Sequence, residues 1–483
     1  MKAWHILLTI FFGIALLFVT IFVSPIILFA IVGVFLLVLL SYYLEWGMYV
    51  LVFLAPMMHW QFQLASFSSV LNKYPDILTF FAPMVDVWAV MVLVAYGIFL
   101  LRAWAHGDTI HIRMPGIGIY GLFLGSALVS LFHVFPWEVV SSLKYIIRFP
   151  LFVYIGYVAL GVNILTTKAL LHRAMNVFLF SVTLGAFMGL ASLFFHVWGL
   201  AGLMRAVPFG IFGWAPFGDQ HIFLAELFVV TIPMAMYLGV VAERATVRHV
   251  YFGLACIHVL VCLLTFSRAG WLTVFVQTIV FLIIMRKKIP WKKVIHTYVW
   301  WVIAVLIPFG VYMFHFLGTK VVSMSDAARL TLTDISWYLF RHSPFIGQGV
   351  GTFVDRVSEI QFFVYEFGTP IDAHSILDKV AAEQGILGIV AFALFVYWLL
   401  WQLYTRAMNT AYSREAQYIS MMSLFVVGGT LFFQLFSTQY YSAKVWVPIM
   451  FAFAQLILYK GDAVSYTTSN FFQKKRKSIE TKI

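Results

Sequence analysis

The chain has 483 residues, of which 63% are hydrophobic and only 10% are Asp, Glu, Lys or Arg, against about 25% charged in an ordinary soluble domain. So few charges could not cover so apolar a core in water, which excludes a water-soluble globular protein and leaves lipid as the solvent. The formal net charge of +12 follows, in a membrane chain, from basic loops gathered on one side, so no nucleic-acid partner is expected.

Within hydrocarbon only helices or closed barrels satisfy every backbone group. The apolar runs here are continuous over about 17 to 22 residues rather than alternating, so they predict helices. Met1-Lys2 leads into an apolar stretch with no small-residue cleavage site, which reads as a first span rather than a removed signal peptide. Fourteen spans are expected, at residues 5–22, 25–42, 47–63, 84–101, 116–133, 147–163, 174–195, 221–241, 249–265, 270–286, 297–316, 385–404, 419–436 and 443–459. The first two are separated only by Ser24-Pro25; losing both would keep the parity, so the expected fold is an all-α polytopic membrane protein with about 12–14 transmembrane helices.

Placing the N-terminus in the cytoplasm sends Arg102/Arg113, Lys168/Arg173, Arg244/Arg248, Arg286 through Lys293, Arg406/Arg414 and Lys474-Lys475-Arg476-Lys477 to the inner side, as the positive-inside rule requires. The organisation is then residues 1–316 with eleven spans, 317–384 outside, 385–459 with three spans, and 460–483 as a basic cytoplasmic tail. The outer segment 317–384 is too long for a simple connector, so it is expected to fold as a cap in which function concentrates. Cys256 and Cys262 fall on different faces of one helix, and no disulfide or metal framework follows.

Three outer segments carry residues suited to chemistry. In the turn Ser267-Arg268-Ala269-Gly270-Trp271 an Arg stands between two spans, where it needs an anionic partner or must reach the headgroups. In Ser325-Asp326-Ala327-Ala328-Arg329, Ser325 can cap a helix whose apolar face is Leu332, Ile335 and Leu339, with Arg329 in its first turns. The run Pro344 to Phe353 contains Gly347, Gly349 and Gly351, but no βαβ unit surrounds it, so it reads as a turn of close backbone approach rather than a dinucleotide site.

In Asp372-Ala373-His374-Ser375, Asp372 can cap a short helix and place His374 in its first turn, where the positive helix end keeps the imidazole neutral and able to accept a proton. Asp378, four residues on, is placed to orient that ring; Arg341 and Arg205 are further supporting candidates. Two guanidinium forks facing a base form a pyrophosphate clamp, because Arg binds phosphate oxygens in bidentate geometry. No HExxH, metal-spaced carboxylate pair or nucleophile elbow occurs, so neither a metal nor a cofactor is expected.

These residues resemble the O-antigen ligase/polymerase family over roughly residues 200–440. The outer turn at Ser267-Arg268 looks like the family's Ser-Arg turn. Arg329, Trp337 and Pro344 through Phe353 look like its loop helix and Pro-x-x-Gly-x-Gly segment. His374-Ser375, nine residues, then Gly385 and Gly388 match H-[NSQ]-x9-G-x-x-G. Pro216-Phe217-Gly218-Asp219-Gln220-His221 departs from a family segment that often ends in Pro-Asn, so no role is carried onto Arg205, Asp219 or His221.

The resemblance implies a GT-C-like fold with one long extracytoplasmic loop, in the bacterial cytoplasmic membrane, with both termini inside. Arg268 and Arg329 would bind the pyrophosphate of an undecaprenyl-pyrophosphate-linked glycan. His374 would deprotonate an acceptor glycan hydroxyl, which attacks the anomeric carbon with inversion, without metal or nucleotide sugar. A surface-polysaccharide polymerase, such as one making O-antigen, capsule or teichuronic acid, is favoured over an O-antigen ligase acting on lipid A core or another acceptor. A lipid-linked glycan transporter and an inactive assembly subunit are the readings from other classes. Besides donor and acceptor, membrane lipids are the expected partners.

Overall fold

The expected apolar runs appear as helices in the computed structural model, which describes residues 25–63, 81–197, 204–210, 214–286 and 320–462. In chain order these are α1 (Pro25–Tyr42), α2 (Leu44–Leu54), strands β1 (Gln61–Gln63) and β2 (Phe81–Pro83), α3 (Met84–Ala105), α4 (Ile117–Ser130), α5 (Val139–Ile164), α6 (Lys168–Phe194), α7 (His221–Val241), α8 (Ala245–Leu264) and α9 (Arg268–Met285). There follow α10 (Lys320–His342), α11 (Phe353–Ser358), α12 (Gln361–Phe367), α13 (Ile376–Met408), α14 (Arg414–Phe433) and α15 (Ala443–Leu458). Among the described residues, seven helices are long and apolar enough to cross a membrane, and α1 with α2, bent by 113°, makes an eighth if counted as one span. The chain is thus an all-α, multi-pass membrane protein.

The expected spans at 5–22 and 297–316, and all but the start of the basic tail, lie outside the described residues. The expected span at 47–63 is corrected: α2 stops at Leu54, and residues 61–63 pair antiparallel with 81–83. Pro56 has no N–H with which to extend the helix, and a turn closes instead through Met57 N–H to Leu54 O at 2.8 Å. Helix capping at Ser325 is also corrected, because α10 is already helical from Lys320. Its apolar stripe is as expected: Leu332, Ile335 and Leu339 are buried against Phe353, Val357, Phe363, Ala373 and Ala382.

Helix α7, apolar apart from His221, Glu226 and Thr231, is buried on nearly every side, as a helix without a continuous polar face must be. It packs on α8 and α14, while α15 fits against α5 and α14. One ion pair crosses this core: Lys444 Nζ of α15 meets Glu226 Oε2 of α7 at 2.5 Å, with both side chains at most 3% exposed. Gln434 Nε2 donates to the other Glu226 oxygen at 2.6 Å, so the buried carboxylate is bonded on both sides.

The glycines of the two outer motifs have one joint cause. Gly385 interrupts α13 at φ 62°, ψ −157°, a region open essentially to glycine alone. The break frees two carbonyls and two N–H groups, and the Gly-rich segment takes all four. Gln348 N–H donates to Ala382 O at 2.8 Å and Gly349 N–H to Glu383 O at 3.0 Å; Ile386 N–H donates to Pro344 O at 2.8 Å and Leu387 N–H to Phe345 O at 3.2 Å. A Cβ on Gly347 would stand 2.2 Å from the Glu383 carbonyl carbon, and one on Gly385 would stand 2.6 Å from that of Phe345. Ser130 Oγ of α4 accepts from Val350 N–H at 3.0 Å, and Ser126 Oγ donates to Gln384 Oε1 at 2.8 Å. The segment 344–353 is therefore clasped to the first turns of α13 and to α4.

Candidate active site

The Ser-Arg turn is shaped by its own residues. Phe266 takes a left-handed φ of 54° to reverse the chain, and Ser267 then caps α9 by accepting from Gly270 N–H at 3.3 Å. Trp271 Nε1 donates back to Cys262 O at 3.1 Å, covering a carbonyl that α8 leaves free at its end. Gly270 lets α9 approach α7, since a Cβ there would be 2.8 Å from that of Ala225. Arg268 is thereby fixed as the first residue of α9.

Arg268 faces α10. Its Nη1 donates to Asp326 Oδ2 at 2.8 Å, and its Nη2 donates to Asp326 Oδ1. The guanidinium holds the Asp326 carboxyl below the usual carboxylate range. With the two side chains 38% and 40% exposed, such a pair contributes only about 0–1 kcal/mol, so an incoming dianion can displace Asp326.

Arg329 stands one helical turn after Asp326, on the same side of α10. It is half-buried, and its Nε is buried with no hydrogen-bond partner among the described residues. A buried donor left unmade costs about 1–3 kcal/mol, so this guanidinium is set for a ligand's acceptor. Its charge acts on Asp326, on His374 and on His221, so all three lie within its electrostatic reach.

His374 lies just before α13 rather than in its first turn. Ser375, extended at φ −146°, caps the helix by accepting from Asp378 N–H at 3.5 Å. Asp372, expected as the cap, instead receives the Lys379 ammonium at 2.6 Å. The imidazole is half-buried. Burial, and secondly the Arg329 charge, push its pKa below the ordinary histidine value, with Asp372 opposing. It is the neutral ring at neutral pH, as a general base must be.

The supporting candidates divide. Asp378 is not on the His374 ring: its carboxylate accepts from Thr333 Oγ1 at 2.9 Å and ties α13 to α10. Arg341 stacks over Trp337 at 5.1 Å, twelve residues beyond Arg329 and so about 18 Å further along the helix; it stands apart from the cluster. Arg205 does join it. Ala206 N–H donates to Leu264 O at 2.7 Å, which pins the Arg205 loop beside the Ser-Arg turn, and Arg205 Nη1 lies 3.5 Å from His221 Nε2.

Sequence reasoning carried no role onto His221 and left out Lys379, Glu383 and the Glu226–Lys444 pair. Lys379 and Glu383 did carry a signal, because a charged pair four residues apart beside two span glycines needs a partner or a purpose.

No curated protein matches the chain. The family model described as O-antigen ligase matches residues 252–393, a segment that runs from α8 into α13 and holds Arg268, Arg329, His374 and the glycine clasp. Over residues 252–393 the chain is similar to the O-antigen ligase family.

Proposed function

We propose that this protein transfers glycan from an undecaprenyl-pyrophosphate carrier to an acceptor sugar hydroxyl at the outer face of the cytoplasmic membrane, as a surface-polysaccharide polymerase. Membrane glycan transfer of the O-antigen ligase kind is what the family carries; the donor, the acceptor and the residues below are our reading. What supports it is that Arg268 and His374, from separate elements, both lie within electrostatic reach of Arg329, whose buried Nε has no hydrogen-bond partner among the described residues.

Arg268, released from Asp326, and Arg329 bind the pyrophosphate. His374 removes the acceptor hydroxyl proton as that oxygen bonds to the anomeric carbon. The anomeric carbon–oxygen bond to the pyrophosphate breaks on the opposite side, inverting the centre. Both electrons leave with undecaprenyl pyrophosphate, and the two guanidinium groups stabilise the charge that develops there. With N- and C-termini cytoplasmic, Arg268, Arg329 and His374 lie together outside, where such a donor is presented.

The test is full-length protein in liposomes, supplied with an undecaprenyl-pyrophosphate-linked oligosaccharide and with divalent metal chelated. Longer glycan with release of undecaprenyl pyrophosphate is expected from the wild type and is lost in His374→Ala. Equal product from both forms overturns the site. Product that forms only once lipid A core is added identifies a ligase instead.

A further inference from the structure

Between His374-Ser375 and Gly385 lie nine residues to which the family pattern gives no identity. Two of them, Lys379 and Glu383, are charged and buried, at 5% and 1% exposure. Lys379 Nζ stands 2.6 Å from Asp372 Oδ2, 3.9 Å from Glu383 Oε1 and 5.3 Å from the ring centroid of Tyr145 in α5. The other Asp372 oxygen accepts from Ala373 N–H at 2.9 Å. Glu383 Oε1 accepts from Phe353 N–H at 3.3 Å. One ammonium thus joins the His374 loop, α13 and the Gly-rich segment. A buried ammonium that loses a partner is strongly unfavourable, so movement of the loop would leave Lys379 with Glu383 at 3.9 Å as its remaining carboxylate.

We infer that Lys379 is a positioning residue for the transfer proposed above: through Asp372 it fixes the loop that presents His374 and offsets part of the charge that this carboxylate turns on the imidazole. The inference rests on His374 as the base. The charged groups acting on His374 are Arg329 from α10 and Asp372 from its own loop; Asp378 of α13 is held by Thr333. Lys379 is faced by Asp372, Glu383 and Tyr145. Removing the ammonium leaves Asp372 uncompensated, and a bare carboxylate near an imidazole favours its protonated form. The His374 midpoint then rises.

The experiment reads that midpoint without requiring turnover. Full-length protein in detergent is treated with diethyl pyrocarbonate across a pH series, since the reagent acylates only the neutral ring, and label on the His374 peptide is measured by mass spectrometry. Lys379→Met is expected to raise the midpoint by about half a pH unit or more and to lower turnover, and K379M/D372N to return the midpoint toward wild type. An unmoved midpoint in K379M, or an equal rise in the double variant, overturns the inference. Should K379M fail to fold, D372N alone decides, because loss of the acid beside His374 must lower the midpoint, and an unchanged one overturns it. A wild type that transfers no glycan rejects the functional reading, while the labelling still judges Lys379.

Discussion

As the proposed base, His374 owes its response to pH to where it stands. Burial and the Arg329 charge lower its pKa, so the free imidazole persists below the ordinary histidine value of about 6.5. Protonation on the acid side of that lowered pKa removes the base. The acid limb of kcat/KM should therefore lie below 6.5 in the wild type, and in Arg329→Gln it should move to higher pH, as rate profiles on the same donor would reveal. A limb at the same pH in both forms would mean that the guanidinium does not act on the ring. His374→Ala should cost about 10²–10⁴-fold in turnover with donor binding retained; loss of binding alone would make His374 a ligand rather than a base. Arg268 could be picked out because an Arg at a span end needs an anion, and Arg329 because it lies on the helix of the loop segment. Their separate states, one paired with Asp326 and one with an unmet donor, depend on which helix faces which.

At the scale of elements, the unit is the clasp between the Gly-rich segment and the break at Gly385. The motif spacing brought out both glycine runs, but not that they bond to each other, because hydrogen bonds between segments about 40 residues apart leave no local pattern. Gly347 holds φ 73° with the Glu383 backbone against it. Gly347→Ala should therefore lower stability by well over the ~1 kcal/mol that positive φ alone costs and abolish transfer, whereas Gly118→Ala in α4, with open space around it, should be neutral or stabilising by up to about 1 kcal/mol. Thermal unfolding in detergent compares the two; equal melting temperatures would show that the clasp contributes nothing. The end of α2 was misjudged for a related reason. The run 47–63 is close to a span in length, yet Pro56 and the pairing of 61–63 with 81–83 stop α2 at Leu54.

For the whole molecule, the Glu226–Lys444 pair is the test of how the bundle is held. Glu226→Gln leaves a buried ammonium uncompensated and should cost about 3–5 kcal/mol, most of which Glu226→Gln with Lys444→Met should restore. Melting temperatures of the two variants decide it, and a double variant no better than the single would mean the pair is solvated. Orientation can be tested separately. A cysteine at Tyr365, exposed on α12, should react with a membrane-impermeant maleimide added to intact cells, and protection there would reverse the topology.

Composition alone determined that this chain lives in lipid, because a 10% charged sequence has no other way to cover its apolar surface. Hydrophobic length then determined where most helices run, since a span is a local property of about 20 residues. Tertiary structure alone decided which candidates meet. Arg205 joined the cluster through a loop pinned to Leu264, Arg341 was carried away by the rise of α10, and Lys379 found Asp372. The sites are made by contacts between distant segments, and their energies depend on packing and burial that no single stretch of sequence contains.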